Sequence, residues 1–276
     1  MEDFYKKVDK ILRRIGEDHL SYNLDESWMY DDLYEFVMKY AERKKLINTA
    51  VALPVVRSLL SGTYRGYKLT KDGKRIKRPY MYHCLSVTRM LINLHLPLSL
   101  EEKDILLAAA LCHDLKSHVA FPDKGIEVET VYHLDPRVVD IMMLIYVGDC
   151  ETDADYACVF SKVRENKLAM LIRMADRANI VEELYNFTMW RMQEYIHETR
   201  TYYLPMCVYA REFYPELDAA VGILQNKMHD LIASTDIFIT RYDNRQKELA
   251  EKILLLEEEN ARMRTVLRQK GYALPK

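Results

Sequence analysis

The chain has 276 residues, enough for one large domain or two small ones, and 49% of them are apolar, so a sizeable core can form. Its formal charge of −2 excludes a general nucleic-acid binder, which would carry a strongly positive surface. No apolar run approaches the about 18 to 20 residues that a membrane span requires. Five cysteines without a CxxC pair are typical of reduced thiols, and the charged start MEDFYKKVDK lacks the features of a secretory signal, so we expect a cytoplasmic protein.

The apolar pattern has mainly helical period, and glycine and proline number only eight each, which favours an all-α fold. The first 26 residues predict a short amphipathic helix followed by a polar break. A second helix is expected over about 27–46 and a third over 48–61, interrupted near Pro54 because proline lacks a helical N–H donor. Residues 1–47 are therefore interpreted as N-terminal helices that precede the main domain.

A basic segment follows, SGTYRGYKLTKDGKRIKRP, which we interpret as a loop. Between Arg65 and Arg78 it holds seven basic residues and one aspartate. The next helix, from about Tyr80 to Leu94, carries His83. Because so few residues separate the two, the loop is expected to lie over any site built at His83.

Capping signals place the following helices. They are Ser99 with Glu102, a capping box, and Asp135 with Pro136 in the first turn. The first of these helices ends in the pair His113-Asp114, and the second runs to about Val147. Residues 163–200 predict one or two long helices, the first bearing Asp176, before Pro205 breaks the pattern. We interpret 48–205 as the main domain and 206–241 as a helical extension, with a helix from Pro215 to about Thr240.

The tail, 242–268, has a heptad pattern. Its d and a positions hold Tyr242, Gln246, Leu249, Ile253, Leu256, Asn260, Met263 and Leu267. An asparagine at an a position typically fixes a parallel two-stranded register. Oppositely charged residues at g and e positions agree with a homodimeric coiled coil, although the same stripe can instead pack on the parent domain.

Four residues of metal-ligand type lie in strongly apolar helical runs: His83, His113, Asp114 and Asp176. Such runs rarely hold ionisable side chains unless these are paired or bound to a metal. Two imidazoles and two carboxylates suit a divalent ion such as Mn, Fe or Zn, which can activate water for hydrolysis. A second His-Asp pair, His229-Asp230, has no supporting neighbours, and we interpret it as chance.

The basic segment suits a phosphorylated substrate, because arginines clamp phosphate oxygens in two-point contacts. Arg65 and Arg78 are the favoured candidates, with Lys77 among the lysines that would neutralise charge. Tyr80 can either stack on a base or pack in the core. For any single lysine of the segment, a solvated surface residue is the favoured interpretation.

These motifs together resemble the hydrolase part of the RelA/SpoT alarmone family, which belongs to the HD superfamily. The stretches that carry the resemblance, over about residues 48–205, are GTYR, RPYMYH, LLAAALCHDL and LIRMADRAN. The resemblance implies an HD-type helical bundle that binds one Mn ion through His83, His113, Asp114 and Asp176, with Mg as a further alternative metal. It also implies that Arg65 lies near the nucleotide, and that the reaction removes pyrophosphate from the 3′ position of guanosine tetra- or pentaphosphate (ppGpp), the signal of the stringent response. Too few residues follow Pro205 for the family's synthetase domain, so a stand-alone hydrolase is expected.

The chain departs from the family at the catalytic acids. The Glu-Asp pair that follows the HD aspartate in the family's hydrolases is replaced here by Ser117-His118. His118 can act as a general acid or base, because its unperturbed pKa is near neutrality. Glu127 or Glu129 can otherwise supply the missing carboxylate, and Asn179 stands one residue from the family's asparagine position.

Three functions remain open from the sequence. The first is a metal-dependent phosphohydrolase acting on guanosine tetraphosphate or a related nucleotide. The second is a non-catalytic nucleotide sensor or regulatory dimer, in which metal and basic residues hold a ligand without turnover. The third is a structural helical dimer whose histidines and aspartates are satisfied core residues.

Overall fold

A computed structural model describes residues 2–15, 27–69, 74–118, 133–180 and 187–270. The chain is mostly helical, as the periodicity predicts. It divides into two compact units, Met1–Leu231 and Ile232–Lys276. Among the described residues, no helix combines the length and apolar character of a membrane span.

The first unit is built from short and medium helices. In chain order they are α1 (Glu2–Ile15), α2 (Asp31–Lys44), α3 (Ile47–Leu59), α4 (Tyr80–Asn93), α5 (Leu100–Cys112), α6 (Leu115–His118), α7 (Pro136–Leu144), α8 (Asp153–Glu165), α9 (Lys167–Asn179), α10 (Met189–Glu198) and α11 (Leu204–Phe213). A π-helical segment, Thr199–Tyr203, joins α10 to α11. A 3₁₀ turn, Pro215–Leu217, leads into α12 (Asp218–Gln269), which has 52 residues and continues through the second unit.

The basic segment is not a loop but a β-hairpin, which corrects the all-α expectation locally. Strand β1 (Tyr64–Leu69) pairs antiparallel with β2 (Arg75–Pro79). The register shifts near Gly66, whose φ of 69° lies in the left-handed region that glycine adopts without strain. Strand β2 ends where α4 begins, so the hairpin is joined directly to the helix that carries His83.

Helix α5 is the centre of the first unit. Its residues from Asp104 to Cys112 are all buried, and it packs against α3, α4, α7 and α9. A helix that is apolar on every side is stable only when neighbours cover every face. The capping box predicted for its start is present, with the Ser99 side chain accepting from the Glu102 backbone and the Glu102 carboxylate accepting from the Ser99 backbone.

A buried carboxylate also ties α5 to α3. Asp104 accepts hydrogen bonds from the backbone N–H groups of Asn48 and Thr49, at 2.9 and 2.8 Å, and from both of their side chains. These N–H groups belong to the first turn of α3, where no helical acceptor exists. Asp104 therefore caps α3 from a neighbouring helix and fixes the angle between the two.

Several predicted helix boundaries were wrong. Pro54 lies inside α3 without ending it, because the buried residues around it hold the helix in place. The segment 163–200 does hold two helices, α9 and α10, the first bearing Asp176, but α9 begins only at Lys167, where the Asn166 side chain caps it by accepting from the backbone of Leu168 and Ala169. The helix after Pro215 continues past Thr240 into the tail. The predicted N-cap at Asp135, by contrast, is confirmed by its hydrogen bond from the Arg137 backbone.

Candidate metal-binding site

Three helices bring the candidate ligands together. His83 lies in the first turn of α4, His113 at the end of α5, and Asp176 near the end of α9. Asp114 follows His113 directly, in the turn between α5 and α6. All four residues come from segments that pack on or adjoin the central helix α5, which is why ligands far apart in sequence meet.

The ligand atoms converge on one point. His83, His113 and Asp176 each offer a ligand atom within 4.8 Å of the other two. His83 Nε2 lies 3.1 Å from Asp176 Oδ1, and His113 Nε2 lies 3.8 Å from the same oxygen. Asp114 Oδ2 completes the group, 3.1 Å from His113 Nε2 and 3.6 Å from His83 Nε2.

Hydrogen bonds on the far side of each ring orient the two histidines. His113 Nδ1 lies 2.7 Å from the Ala110 carbonyl oxygen, which can only accept, so Nδ1 carries the proton. His83 Nδ1 is held in the same way by Asn179 Oδ1, at 3.1 Å. The Nε2 atom of each ring therefore points at the carboxylates, and a hydrogen bond behind Nδ1 is usual for metal-binding histidines.

The electrostatics of the group favour a cation at its centre. Burial alone would lower the pKa of His113, but the carboxylates of Asp114 and Asp176 outweigh it and raise that pKa to about 9. Burial would likewise raise the pKa of Asp176, but the two histidines hold it well below its usual value. Without a bound ion, His113 therefore keeps its proton at neutral pH, and a divalent ion would take the place of that proton beside the ionised carboxylates of Asp114 and Asp176.

The donor set and its geometry fit one divalent ion. His113 Nε2 is buried and makes no hydrogen bond of acceptable geometry with any residue that the structure describes, although it faces both carboxylates. An imidazole nitrogen that is oriented from behind and left without a hydrogen-bond partner at its tip is poised to bind a metal. The group of His83, His113 and Asp176 can therefore hold one metal ion.

A second chain of contacts links the ligands to the hairpin. The Tyr80 hydroxyl donates to Asp114 Oδ2 at 2.7 Å and accepts from Arg65 Nη1 at 3.0 Å. Burial and the nearby Asp114 charge raise the pKa of Tyr80 well above its usual value, so its hydroxyl keeps the proton it donates. Arg65 itself lies 3.6 Å from Asp114 Oδ2. The arginine predicted to lie near a nucleotide is thus fixed at the edge of the ligand group.

The four candidate ligands, His83, His113, Asp114 and Asp176, are called the ligand group below. Through Asp114 and Asp176 this group borders a cavity of about 410 Å³. The charged residues that line it are Arg65, Asp114, Arg173, Asp176, Arg177, Arg191 and Glu198. Four tyrosines also line it, namely Tyr64, Tyr80, Tyr156 and Tyr195. The cavity therefore combines cationic side chains with aromatic walls next to the candidate metal ligands.

Three of the lining arginines were missed in the sequence. Arg173 Nη1 donates to Asp176 Oδ2 at 3.2 Å, and Arg177 is paired with Glu198 and donates to the Tyr203 hydroxyl. Arg191, from α10, lies over the Tyr195 ring. Two arginines four residues apart in the apolar run LAMLIRMADRAN were an available signal, because buried guanidinium groups require nearby partners.

The other predicted site residues occupy different places. His118 and Ser117 line the cavity, and the His118 ring packs on the Tyr80 ring with centroids 3.9 Å apart. Arg78 is buried against the Tyr82 ring, whereas Lys77 is exposed and lies over the Tyr64 ring. Neither is among the residues that line the cavity.

Asn179 is also absent from the cavity lining, since it lies behind His83 and orients that ring. Glu127 and Glu129 lie outside the described residues. His229 and Asp230, the second His-Asp pair, are both exposed. Of these predicted residues, the described part of the chain brings His118, Arg65 and Tyr80 to the cavity beside the ligands, but not Lys77, Arg78 or Asn179.

In comparisons with known proteins, no protein-family model matches this chain, and no curated protein matches it significantly.

Proposed function

We propose that this chain is a metal-dependent phosphohydrolase that acts on a nucleotide polyphosphate resembling guanosine tetraphosphate. One observation carries the proposal: two oriented imidazole nitrogens and two ionised carboxylates face one point at the edge of a cavity lined by arginines. The resemblance of the four motifs to the RelA/SpoT hydrolases supports the same reaction and an HD-type bundle.

The proposed metal is one Mn ion, held by His83, His113, Asp114 and Asp176. A set of two nitrogens and two carboxylate oxygens suits Mn, and also Fe or Zn. Such an ion, when bound, lowers the pKa of a coordinated water and polarises a phosphoryl oxygen.

Arginines in the cavity bind the phosphates. Arg65, Arg173 and Arg177 are each within the cavity lining and held in place by contacts to neighbouring side chains. Guanidinium groups that are already oriented lose little conformational entropy when they contact phosphate oxygens. The tyrosine walls offer faces on which a base stacks, which makes a nucleotide a better substrate than a simple phosphate ester.

His118 is the proposed proton acceptor. Its partial burial lowers its pKa, which outweighs the opposing effect of Asp114, so the ring is neutral at pH 7 and able to accept a proton. It lines the cavity, and its contact with Tyr80 places it beside a residue that bonds Asp114. His118 would therefore take over the work of the family's missing acidic pair.

A specific observation favours a second candidate, a nucleotide sensor that binds without turnover. Among the described residues lining the cavity, the carboxylates are Asp114, Asp176 and Glu198. The first two belong to the ligand group, and Glu198 is paired with Arg177. No further carboxylate of that lining is left to activate water. Hydrolysis would therefore be slow or absent if His118 does not accept the proton of the attacking water.

Pyrophosphate release from guanosine tetraphosphate in the presence of Mn separates the candidates. We expect release by the wild type and by Asp230→Ala, which removes the aspartate of the exposed His-Asp pair. Asp114→Ala should lose both bound Mn and activity while its circular dichroism remains helical. Activity in Asp114→Ala equal to the wild type would contradict the mechanism.

The remaining outcomes are also informative. A wild type that binds Mn and the nucleotide tightly but releases nothing would establish the sensor. A wild type that retains no divalent metal after dialysis against Mn, Fe or Zn would overturn both candidates.

A further inference from the structure

The second unit carries an apolar surface on an otherwise polar helix. Within Ile232–Lys276, the run Ile253 to Leu256 is exposed to between 56 and 65%. Tyr242, Leu249 and Met263 are exposed to 40% or more. A helix with so much uncovered apolar surface is typical of one that binds a partner.

The uncovered side chains form a heptad seam. The seam residues are Gln246, Ile253, Asn260 and Leu267 at a positions, and Tyr242, Leu249, Leu256 and Met263 at d positions. Ile253 at an a position between two leucines at d positions is the combination that favours two strands over three or four. From this pattern we infer that the seam residues pair with those of a second copy of this chain, in a parallel two-stranded coiled coil.

The polar layers decide the direction of pairing. In a parallel pair each a residue faces its own copy, so Asn260 meets Asn260 and Gln246 meets Gln246, and the two amides of each layer hydrogen-bond. In the antiparallel pair that aligns the whole seam, Asn260 instead faces Leu249 and Gln246 faces Met263. Each amide would then be buried against an apolar side chain, which is unfavourable.

Charges beside the seam support pairing between two chains. Lys252 at a g position faces Glu257 of the partner copy, and Glu259 faces Arg264 of the partner copy. The helix α12 is already continuous across the seam, so pairing does not require a new helix to nucleate. A seam of about three and a half heptads can then pair although it is short.

The oligomeric state of the full-length chain tests the inference. Light scattering should give twice the monomer mass of 32.6 kDa for the wild type. Leu256→Asp places a charge in the seam and should give monomers. Leu255→Asp is the matched control, since Leu255 is exposed to 65% and Leu256 to 58% but Leu255 lies outside the seam, so it should remain dimeric.

Three results would overturn the inference: a monomeric wild type, a trimer or tetramer, or two variants that behave alike. Both leucines are exposed, so neither change threatens the fold of the helix. The oligomeric state is measured without any hydrolysis. The proposed function can therefore prove wrong while the dimer is confirmed, and the dimer can prove wrong while the proposed function is confirmed.

Direction is tested by a disulfide. Leu267→Cys in a Cys158→Ser background, which removes an exposed native thiol, should form a reducible covalent dimer on oxidation. In an antiparallel pair the two introduced cysteines would lie about 37 Å apart along the helix and could not join. A dimer that fails to cross-link at this position would therefore contradict parallel pairing.

Discussion

The histidines of the candidate site are oriented by groups that lie outside both the ligand group and the cavity lining. The Ala110 carbonyl fixes the proton on His113, and the Asn179 amide oxygen fixes the His83 ring. Asn179 is buried at 2% exposure, behind the ring rather than in the cavity. In the structure it therefore orients the His83 ring, whereas the stretch LIRMADRAN led us to expect a contact with substrate.

Replacing Asn179 by alanine should weaken metal binding by about 10 to 100-fold, because His83 loses the partner that orients its ring. The measurement is Mn affinity by calorimetry, together with circular dichroism to verify the fold. Asn93→Ala, an exposed asparagine on the same helix as His83, is the control and should bind Mn as the wild type does. Equal affinities for the two variants would show that Asn179 does not act through His83.

The sequence predicted the ligand group better than it predicted the residues that line the cavity. Ionisable residues in apolar runs signal a site by themselves, so His83, His113, Asp114 and Asp176 could be selected without a structure. Arg191 could not, because it comes from a different helix and reaches the cavity only through the fold. Arg78 was favoured because it is a cation next to Pro79-Tyr80, but it is buried against Tyr82.

Contacts at the start of the central helix α5 hold in place the helix whose other end carries His113 and Asp114. At its start, the Lys167 ammonium and hydrogen bonds from Ser99 hold the pKa of Glu102 at about 2, below its usual 4.5. The contact to Lys167 also joins α5 to α9, the helix that bears Asp176. The start of α5 thus links two of the three helices that supply ligands.

Replacing Glu102 by glutamine should reduce the free energy of unfolding at pH 7 by about 0.5 to 1 kcal/mol. This is the usual loss when a helix cap is removed, lowered here because Glu102 is partly exposed to solvent. Because the folded-state pKa is depressed, the stabilisation is fully present above about pH 4.5 and is lost as the pH falls towards 2. Urea denaturation from pH 7 to 3 should show the wild type and the variant converging. Glu212→Gln, at an exposed position of α11, should show no such loss, and a gap that stays constant with pH would contradict the assignment.

The hairpin shows where element prediction failed and why. Its high density of basic residues suggested a solvated loop, although Asp72-Gly73 between alternating apolar residues is a typical hairpin signal. The capping signals at Ser99 and Asp135, in contrast, were sufficient, because they depend on local hydrogen bonds alone. Boundaries set by tertiary packing, such as the continuation of α3 through Pro54, could not be predicted locally.

For the molecule as a whole, a metal bound by three helices should stabilise the first unit. Mn at 100 times its dissociation constant should add about 2.7 kcal/mol to the free energy of unfolding. For a unit of this size the melting temperature should rise by about 5 to 10 °C. Differential scanning calorimetry with and without Mn measures the shift.

The same scan on two aspartate variants controls for non-specific binding. Asp114→Asn removes a proposed ligand and should lose most of the shift, whereas Asp230→Ala should keep it. An unchanged wild-type melting temperature at saturating Mn would show that no metal joins the three helices.

The cysteines beside the candidate ligands differ sharply from Cys158 in accessibility. Cys84 follows His83 and Cys112 precedes His113, and both are fully buried. Burial raises the pKa of Cys112 to about 12 and that of Cys84 well above its usual value, so both remain thiols at neutral pH and react slowly with alkylating agents. Cys158, on the exposed side of α8, is accessible instead. Because Cys150 is also partly exposed, rapid labelling by a thiol reagent in a Cys150→Ser background would report on the surface of α8, and a fluorophore attached there would leave the residues beside His83 and His113 untouched.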